Sequence, residues 1–281
     1  MDFEGFMYLD VENPLVAWNA YRGVLVSQKI VQKSINDALV PALSMTAARM
    51  FMDRDWGRLA FEYELEEVRT RNFPTKVSRL NCLFVFDEPE SALAAASDEN
   101  WGGHICTDNL TDVGVSASPN CTRVDANWIS WMLQAHQGEA EWRSGIQPYW
   151  TGNPCPHFRQ PTWEVLLDGA VTIWGTALRQ RAYEITRERS PSAVALLEQS
   201  RLAASFGSDL GHVSALVTSE AGRSLMSFYI DMRDAENKDY TDRLQAYIAA
   251  NPACVNFRDL AVGGDKFGTP NFILYSYLFG T

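Results

Sequence analysis

The sequence predicts an α+β protein, and three observations carry that expectation. Short apolar runs such as LNCLFVF (Leu80–Phe86) and TWEVLLDGAVTIW have the length and texture of buried strands. The stretch from SMTAARMF to FEYELEEVRTR has helical periodicity, with Phe61, Leu65 and Val68 on one face and Glu66, Glu67, Arg69 and Arg71 largely elsewhere. From Ala177 onward the texture becomes mainly helical, which places a division near residue 180. The expected organisation is therefore a mixed domain over residues 1–180 and a mainly helical region over 181–281.

Taken in order, NAYRGVLVSQ (Asn19–Gln28) reads as a strand and its exit, and a helical region follows that Pro41 interrupts. Pro74 ends the next helix. LNCLFVF leads into DEPESALAAAS, where Asp87 is placed to cap an alanine-rich helix. Residues from Asp98 to Arg123 are rich in Gly, Asn, Asp, Ser and Thr and read as a long loop. Asp125 opens a helix whose Trp128, Trp131, Met132 and Ala135 share a core-facing stripe. Two strands then meet at Asp168–Gly169, a tight-turn dipeptide. Ser190–Pro191 starts a helix that Gly207 ends, and further helices are expected over Val213–Arg233 and Tyr240–Ala250. NFILYSYLF fits either a strand or a buried helix.

The 281-residue chain is long enough to bury a sizeable core, and its 46% hydrophobic and 12% aromatic content supplies one. A net charge of −11 argues against a general nucleic-acid or anionic-membrane binder, because phosphate attraction needs a basic field. No run of about 18 apolar residues predicts a spanning helix, and MDFEGFMYLD lacks the basic and apolar regions of a signal peptide. Cys82, Cys106, Cys121, Cys155 and Cys254 form an odd, widely spaced set without CxxC, which points to reduced thiols in a cytoplasmic protein and away from zinc. Two glycosylation sequons, at Asn109 and Asn120, mean little without secretion.

GxGxxG, GxxxxGK and HExxH are all absent, so dinucleotide-fingerprint, P-loop and zinc-protease readings lack their anchors. GVSAS at Gly114 is not a nucleophile elbow. His104, His136, His157 and His212 are scattered and read as surface or satisfied core residues.

Three segments remain: AYRG (Ala20–Gly23), SRLNCLFVFDEPESALAAA (Ser78–Ala96) and WEVLLDG (Trp163–Gly169). Their order and texture, over about residues 15–175, resemble the ADP-ribosyltransferase superfamily, whose members split NAD and transfer ADP-ribose. In that family an early strand carries Arg or His followed by Gly, a later strand runs into a short helix, and a further strand presents a catalytic Glu. The resemblance implies a split β-sheet and NAD as co-substrate. It makes Glu164 the electrostatic catalyst, with Tyr21, Arg22, Gly23, Ser78 and Arg79 binding the dinucleotide.

Loss of nicotinamide builds positive charge on the ribose, related to the charge that develops in glycoside hydrolysis, and a carboxylate beside the ribose stabilises it. An arginine fork suits pyrophosphate, and Gly23 allows close approach of the backbone. For Glu164 the alternative is the solvated face of a half-exposed strand; for Arg22 it is a surface position beside a turn. Tyr149 and Trp150 are placed either to stack on nicotinamide or simply to pack.

The family's Ser-Thr-Ser run is missing, and Thr162 stands where arginine-modifying members carry Glu or Gln. The early His of the other branch is replaced by Tyr21–Arg22. The expected partners are thus NAD and a macromolecular acceptor, protein or nucleic acid, with no membrane; the oligomeric state stays open. A toxin, effector or phage-borne modifier would fit. The rival readings are a non-catalytic interaction protein that keeps the fold, and a carbohydrate-active hydrolase drawing two acids from Glu139, Glu141 and Glu164.

Overall fold

The structure, a computed structural model, describes residues 3–28, 42–97, 105–116, 120–136, 140–220, 223–251 and 277–279. Its first part contains β1 (Phe3–Tyr8), α1 (Pro14–Arg22), β2 (Val24–Val26), β3 (Ala42–Leu43), α2 (Met45–Met52) and α3 (Trp56–Asn72). Then come β4 (Leu83–Val85), α4 (Pro89–Ser97), β5 (Leu110–Val115), β6 (Asn120–Asp125), α5 (Asn127–His136), α6 (Ile146–Thr151), β7 (Trp163–Asp168) and β8 (Ala170–Ile173). The last part holds α7 (Thr176–Arg189), α8 (Val194–Ser205), β9 (Val213–Glu220), β10 (Arg223–Ile230), α9 (Lys238–Ala250) and β11 (Tyr277–Phe279). Helix and sheet are mixed throughout, compatible with the α+β class. The chain divides into two units: Met1–Asp10 with Val26–Gly175, and Val11–Leu25 with Thr176–Thr281.

In the first unit β7 lies between β4 and β6, antiparallel to both, with Leu83 opposite Leu167 and Val124 opposite Glu164. β5 lies between β1 and β8, again antiparallel to both. The two sheets are connected through shared chain: β7 runs into β8 and its partner β6 follows β5, while a bridge links Phe6 and Phe86. The expected hairpin at Asp168–Gly169 does not form. Asp168 ends β7 and Ala170 starts β8, so one glycine is left, too little for a two-residue turn. The chain instead passes from one sheet into the other.

The expected loop from Asp98 to Arg123 contains β5 and β6; residues 98–104 and 117–119 lie outside the described residues. Polar composition hides the strand signal, yet LTDVGV buries Thr111, Val113 and Val115 in alternation. Gly114 serves packing, since a Cβ there would stand 2.4 Å from a ring carbon of Trp174.

Behind β6 and β7 the core is aromatic. Phe61 and Leu65 of α3, Trp128 and Met132 of α5, and Tyr149 and Trp150 of α6 pack together with Leu166 of β7. The stripes read from sequence on α3 and α5 face this core: Val68, Trp131 and Ala135 are partly buried at its edge.

The strand expected over Asn19–Gln28 is confined to β2; Asn19–Arg22 is helical. Asn13 caps α1 by accepting from the Leu15 N–H at 3.0 Å, Pro14 occupies the first turn, and Gly23 closes it at φ 92°. That capping outweighs the β-like look of YRGVLV. In the second unit, the helix expected over Val213–Arg233 is the antiparallel pair β9–β10, with Val213 opposite Ile230. The run Ala215–Val217 is continuously apolar, so its pattern fits a helix as readily as a strand, and pairing with β10 decides. Tyr277–Phe279 is a strand against β10. The segment expected to be helical before Pro41 lies outside the described residues.

Gly211 of the second unit sits at φ 78°, and a Cβ there would fall 1.8 Å from Ser200 Oγ and 2.9 Å from Ser200 Cα. Gly211→Ala should therefore destabilise the protein by about 2–5 kcal/mol, combining left-handed strain with overpacking. A thermal melt within 1–2 °C of wild type, on the scale such losses produce (roughly 2–8 °C per kcal/mol), would reject this.

Candidate functional site

The first unit places a buried ionic network between α3 and β7. Asp55 caps α3 by accepting from the Arg58 N–H, and four-residue spacing then aligns Arg58, Glu62 and Glu66 along the helix. Arg58 Nη2 donates to Glu62 Oε1 at 3.1 Å. Beyond Pro74 the chain returns beside the helix, fastened by Arg69, which donates twice to Glu66 and once to the Lys76 carbonyl. Ser78 Oγ donates to Glu66 Oε2 at 2.9 Å. This return points Arg79 inward.

The Arg79 guanidinium is shared. Nε and Nη2 donate to the two oxygens of Glu62 at 2.8 and 3.2 Å. Nη1 donates to the Tyr149 hydroxyl at 2.7 Å and to Glu164 Oε2 at 3.1 Å. The cation also lies 4.9 Å from the centre of the Phe84 ring. Glu62 is 3% exposed and Glu164 4% exposed, which excludes the solvated-face reading of Glu164.

Burial and charge act differently on the two carboxyls. Burial raises Glu164, Glu62 adds to that, and Arg79 recovers only part, so Glu164 titrates above the ordinary glutamate range. Burial also opposes the charge on Glu62, but Arg79 and Arg58 overcome it and hold Glu62 below that range. Arg79 is held well above its ordinary value: burial works against its charge, and Glu62, Tyr149 and Glu164 outweigh that. Burial lifts Tyr149 and the nearby Cys82 thiol, which leaves Cys82 a poor nucleophile.

A second carboxylate sets the approach to β7. Asp125 is buried at the end of β6 and accepts three main-chain N–H groups: Asn127 at 3.1 Å, Thr162 at 2.9 Å and Cys155 at 2.7 Å. It thereby fixes the segment that enters β7 two residues before Glu164.

The structure brings Arg79 and Glu164 into contact, with Ser78 bound one residue away. Tyr21, Arg22 and Gly23 belong to the second unit. There Arg22 is buried and donates to the main-chain carbonyls of Ser208, Val24 and Leu210; burial lowers its guanidinium to about 10. Tyr21 donates to Glu198 at 2.7 Å. Tyr149 and Trp150 are fully buried, and Trp150 Nε1 donates to the Leu65 carbonyl. Glu141 is exposed, and Glu139 lies outside the described residues. His212 is a buried core residue, its imidazole lowered to about 3 by burial and by Arg22, and it contacts Ser214 Oγ. Cys82, Cys106, Cys121 and Cys155 are free thiols.

Among the described residues no group of three His, Cys, Asp or Glu side chains could hold a metal ion, and no helix is long and apolar enough to cross a membrane. A family described as a protein of unknown function, DUF2441, matches residues 26–182, more than half of the chain. The chain belongs to the DUF2441 family. No curated protein matches it. The DUF2441 segment contains Arg58, Glu62, Arg79, Asp125, Tyr149 and Glu164, and excludes Tyr21–Gly23.

Sequence reasoning missed Arg58, Glu62 and Asp125. Glu62 had a readable signal: it falls beside Phe61 and three residues before Leu65, a carboxylate on the apolar face of its helix. Asp125 had none beyond its capping position.

Proposed function

We propose that the first unit is an NAD-dependent ADP-ribosyltransferase, built as a split sheet, that releases nicotinamide and passes ADP-ribose to a macromolecular acceptor. The observation that supports this most is the burial of Glu164 on a central strand, where Arg79, itself held by Glu62 and Tyr149, orients it. An oxocarbenium-like ribose needs a carboxylate in a water-poor setting, where a fixed charge acts most strongly. Arg79 holds the Glu164 carboxyl in one orientation, and Glu164 is the group that accepts from a ribose hydroxyl and faces the developing charge. The other guanidinium donors are committed: Arg79 to Glu62 and Tyr149, and Arg22 to carbonyls. Neither is assigned here to the pyrophosphate. Thr162 in place of Glu or Gln speaks against arginine as the acceptor.

One observation favours a second reading. Arg79 spends its donors inside the protein and Glu164 is nearly sealed from solvent, as in a network that only fastens α3 to the sheet, within a non-catalytic interaction protein.

Incubation with NAD and cell lysate separates the two. Wild type should release nicotinamide, and Glu164→Ala should do so about 10²–10³-fold more slowly. A wild type that neither binds nor consumes NAD leaves the interaction protein as the reading. NAD turnover unchanged in Glu164→Ala removes Glu164 from the chemistry while keeping the enzyme.

A further inference from the structure

Most arginines of this acidic chain have a carboxylate partner among the described residues, as do Arg49, Arg69, Arg123 and Arg143. Arg179 and Arg187 have none there. Both project from α7 with Tyr183 between them at four-residue spacing, so the three side chains run along one ridge of the helix. Arg187 lies 5.6 Å from the centre of the Tyr183 ring. Tyr183 meets Tyr21 of α1, ring centres 4.8 Å apart, and Arg201 of α8 lies 5.9 Å from the Tyr21 ring. Two helices of the second unit, α7 and α8, thus bring three guanidinium groups around a tyrosine pair that α1 and α7 form.

Arg179 is seated, not trailing in solvent. Its Nη2 donates to the Tyr21 carbonyl at 3.3 Å, and a Cβ on Gly23 would stand 2.9 Å from that same nitrogen. Gly23 leaves room for the guanidinium against the backbone as well as closing α1. Burial and the like charge of Arg201 both oppose the charge on Arg179. The acidic group bonded within the cluster is Glu198, already accepting from Tyr21 and from Arg201 Nε at 3.1 Å. Glu184 accepts from Gln180. Three guanidinium groups meet the carboxylate of Glu198, with Glu184 beside them on α7, so the cluster itself stays net positive in a chain whose net charge is −11.

We propose that Arg179, Arg187 and Arg201, arrayed on the Tyr21–Tyr183 pair, bind a phosphate-bearing small molecule. The planar forks offer paired donors that match phosphoryl oxygens, and an anion offsets the local positive charge. The strongly acidic remainder of the chain disfavours a polymeric nucleic acid. The phosphoryl group could come from a free inorganic anion or from a nucleotide diphosphate. This site does not depend on the transferase reading, because it lies in the second unit and requires no turnover of NAD.

The test is calorimetric titration of the full chain with inorganic pyrophosphate and, separately, with ADP, at two salt concentrations. Both probes should bind and weaken with salt. Arg179→Gln and Arg187→Gln should each raise Kd about tenfold, the loss of one charge-assisted pairing. Arg71→Gln, which breaks an exposed pair with Glu67 on α3, should leave Kd unchanged. Tighter binding of ADP than of pyrophosphate, with the same loss in the variants, identifies a nucleotide; equal binding identifies the free anion. Arg187 is exposed and holds only a ring contact, so its variant should melt with wild type and keep the result interpretable. Absence of binding by both probes, or equal losses in Arg71→Gln and Arg187→Gln, overturns the proposal.

Discussion

Arg79→Met should cost about 3–5 kcal/mol at neutral pH, because it leaves two buried carboxyls without their shared cation. Methionine fills much of the space, so the loss reports charge more than volume. The pH dependence distinguishes this from a packing defect. In wild type, Glu62 titrates below the ordinary glutamate value of about 4.3. Its contribution is therefore present above that value and is lost as pH falls through its folded-state value. Glu164 is raised, so its contribution is complete below the ordinary value and is lost as pH rises through the folded-state value.

Without Arg79 both carboxyls join the second case, although Arg58 still attends Glu62. The deficit of Arg79→Met should then be greatest at neutral pH and narrow toward about pH 4–5, where both groups protonate. Urea unfolding of both proteins at pH 5, 6 and 7.5 measures this. A deficit that stays constant across that range would mean that the arginine acts through packing alone. Replacing Glu164 alone by glutamine in the Arg79→Met background should restore part of the loss, since Glu62 keeps Arg58 as its partner and no second buried carboxylate remains.

Asp125→Ala should be comparably damaging, by about 3–5 kcal/mol, because three main-chain N–H groups lose one charged acceptor. Asp125→Asn should cost less. Its remaining carbonyl oxygen can keep the bonds to Asn127 and Thr162, while its NH2 group faces the Cys155 N–H. Register makes the consequence functional: Asp125 pairs with Trp163 and Val124 with Glu164. Amide hydrogen exchange at Thr162 and Cys155 should accelerate in Asp125→Ala ahead of the remaining β6–β7 amides. Exchange at Thr162 equal to wild type would show that the carboxylate does not anchor this segment.

Much of the first unit was legible in the chain. The helical stripe at Phe61, Leu65 and Val68, the strand at Leu83–Val85 running into an alanine-rich helix, and the core face at Trp128 and Met132 are local patterns. A side-chain period of 3.6 or a buried apolar run specifies each with little help from elsewhere. β5 and β6 were hidden because a strand's polar residues are permitted wherever a partner strand or a neighbouring ring covers them, and those partners lie 50 or so residues away. The β9–β10 pair was misread for a related reason. A short continuous apolar run such as Ala215–Val217 fits helix and strand alike until the facing strand is known.

The same division runs through the candidate site. From WEVLLDG alone, Glu164 is a carboxylate in an apolar run, and either a wet face or a chemical purpose explains it. The sequence by itself determined that a strand would hold this glutamate and that Pro74 would turn the chain after α3. Only the tertiary structure decided that the turn delivers Arg79 to Glu164, that Glu62 takes two of the arginine's donors, and that Tyr21, Arg22 and Gly23 belong to the other unit. Backbone propensity acts over a few residues, whereas the partner of a buried charge is whichever group the packing of distant elements brings within about 3 Å.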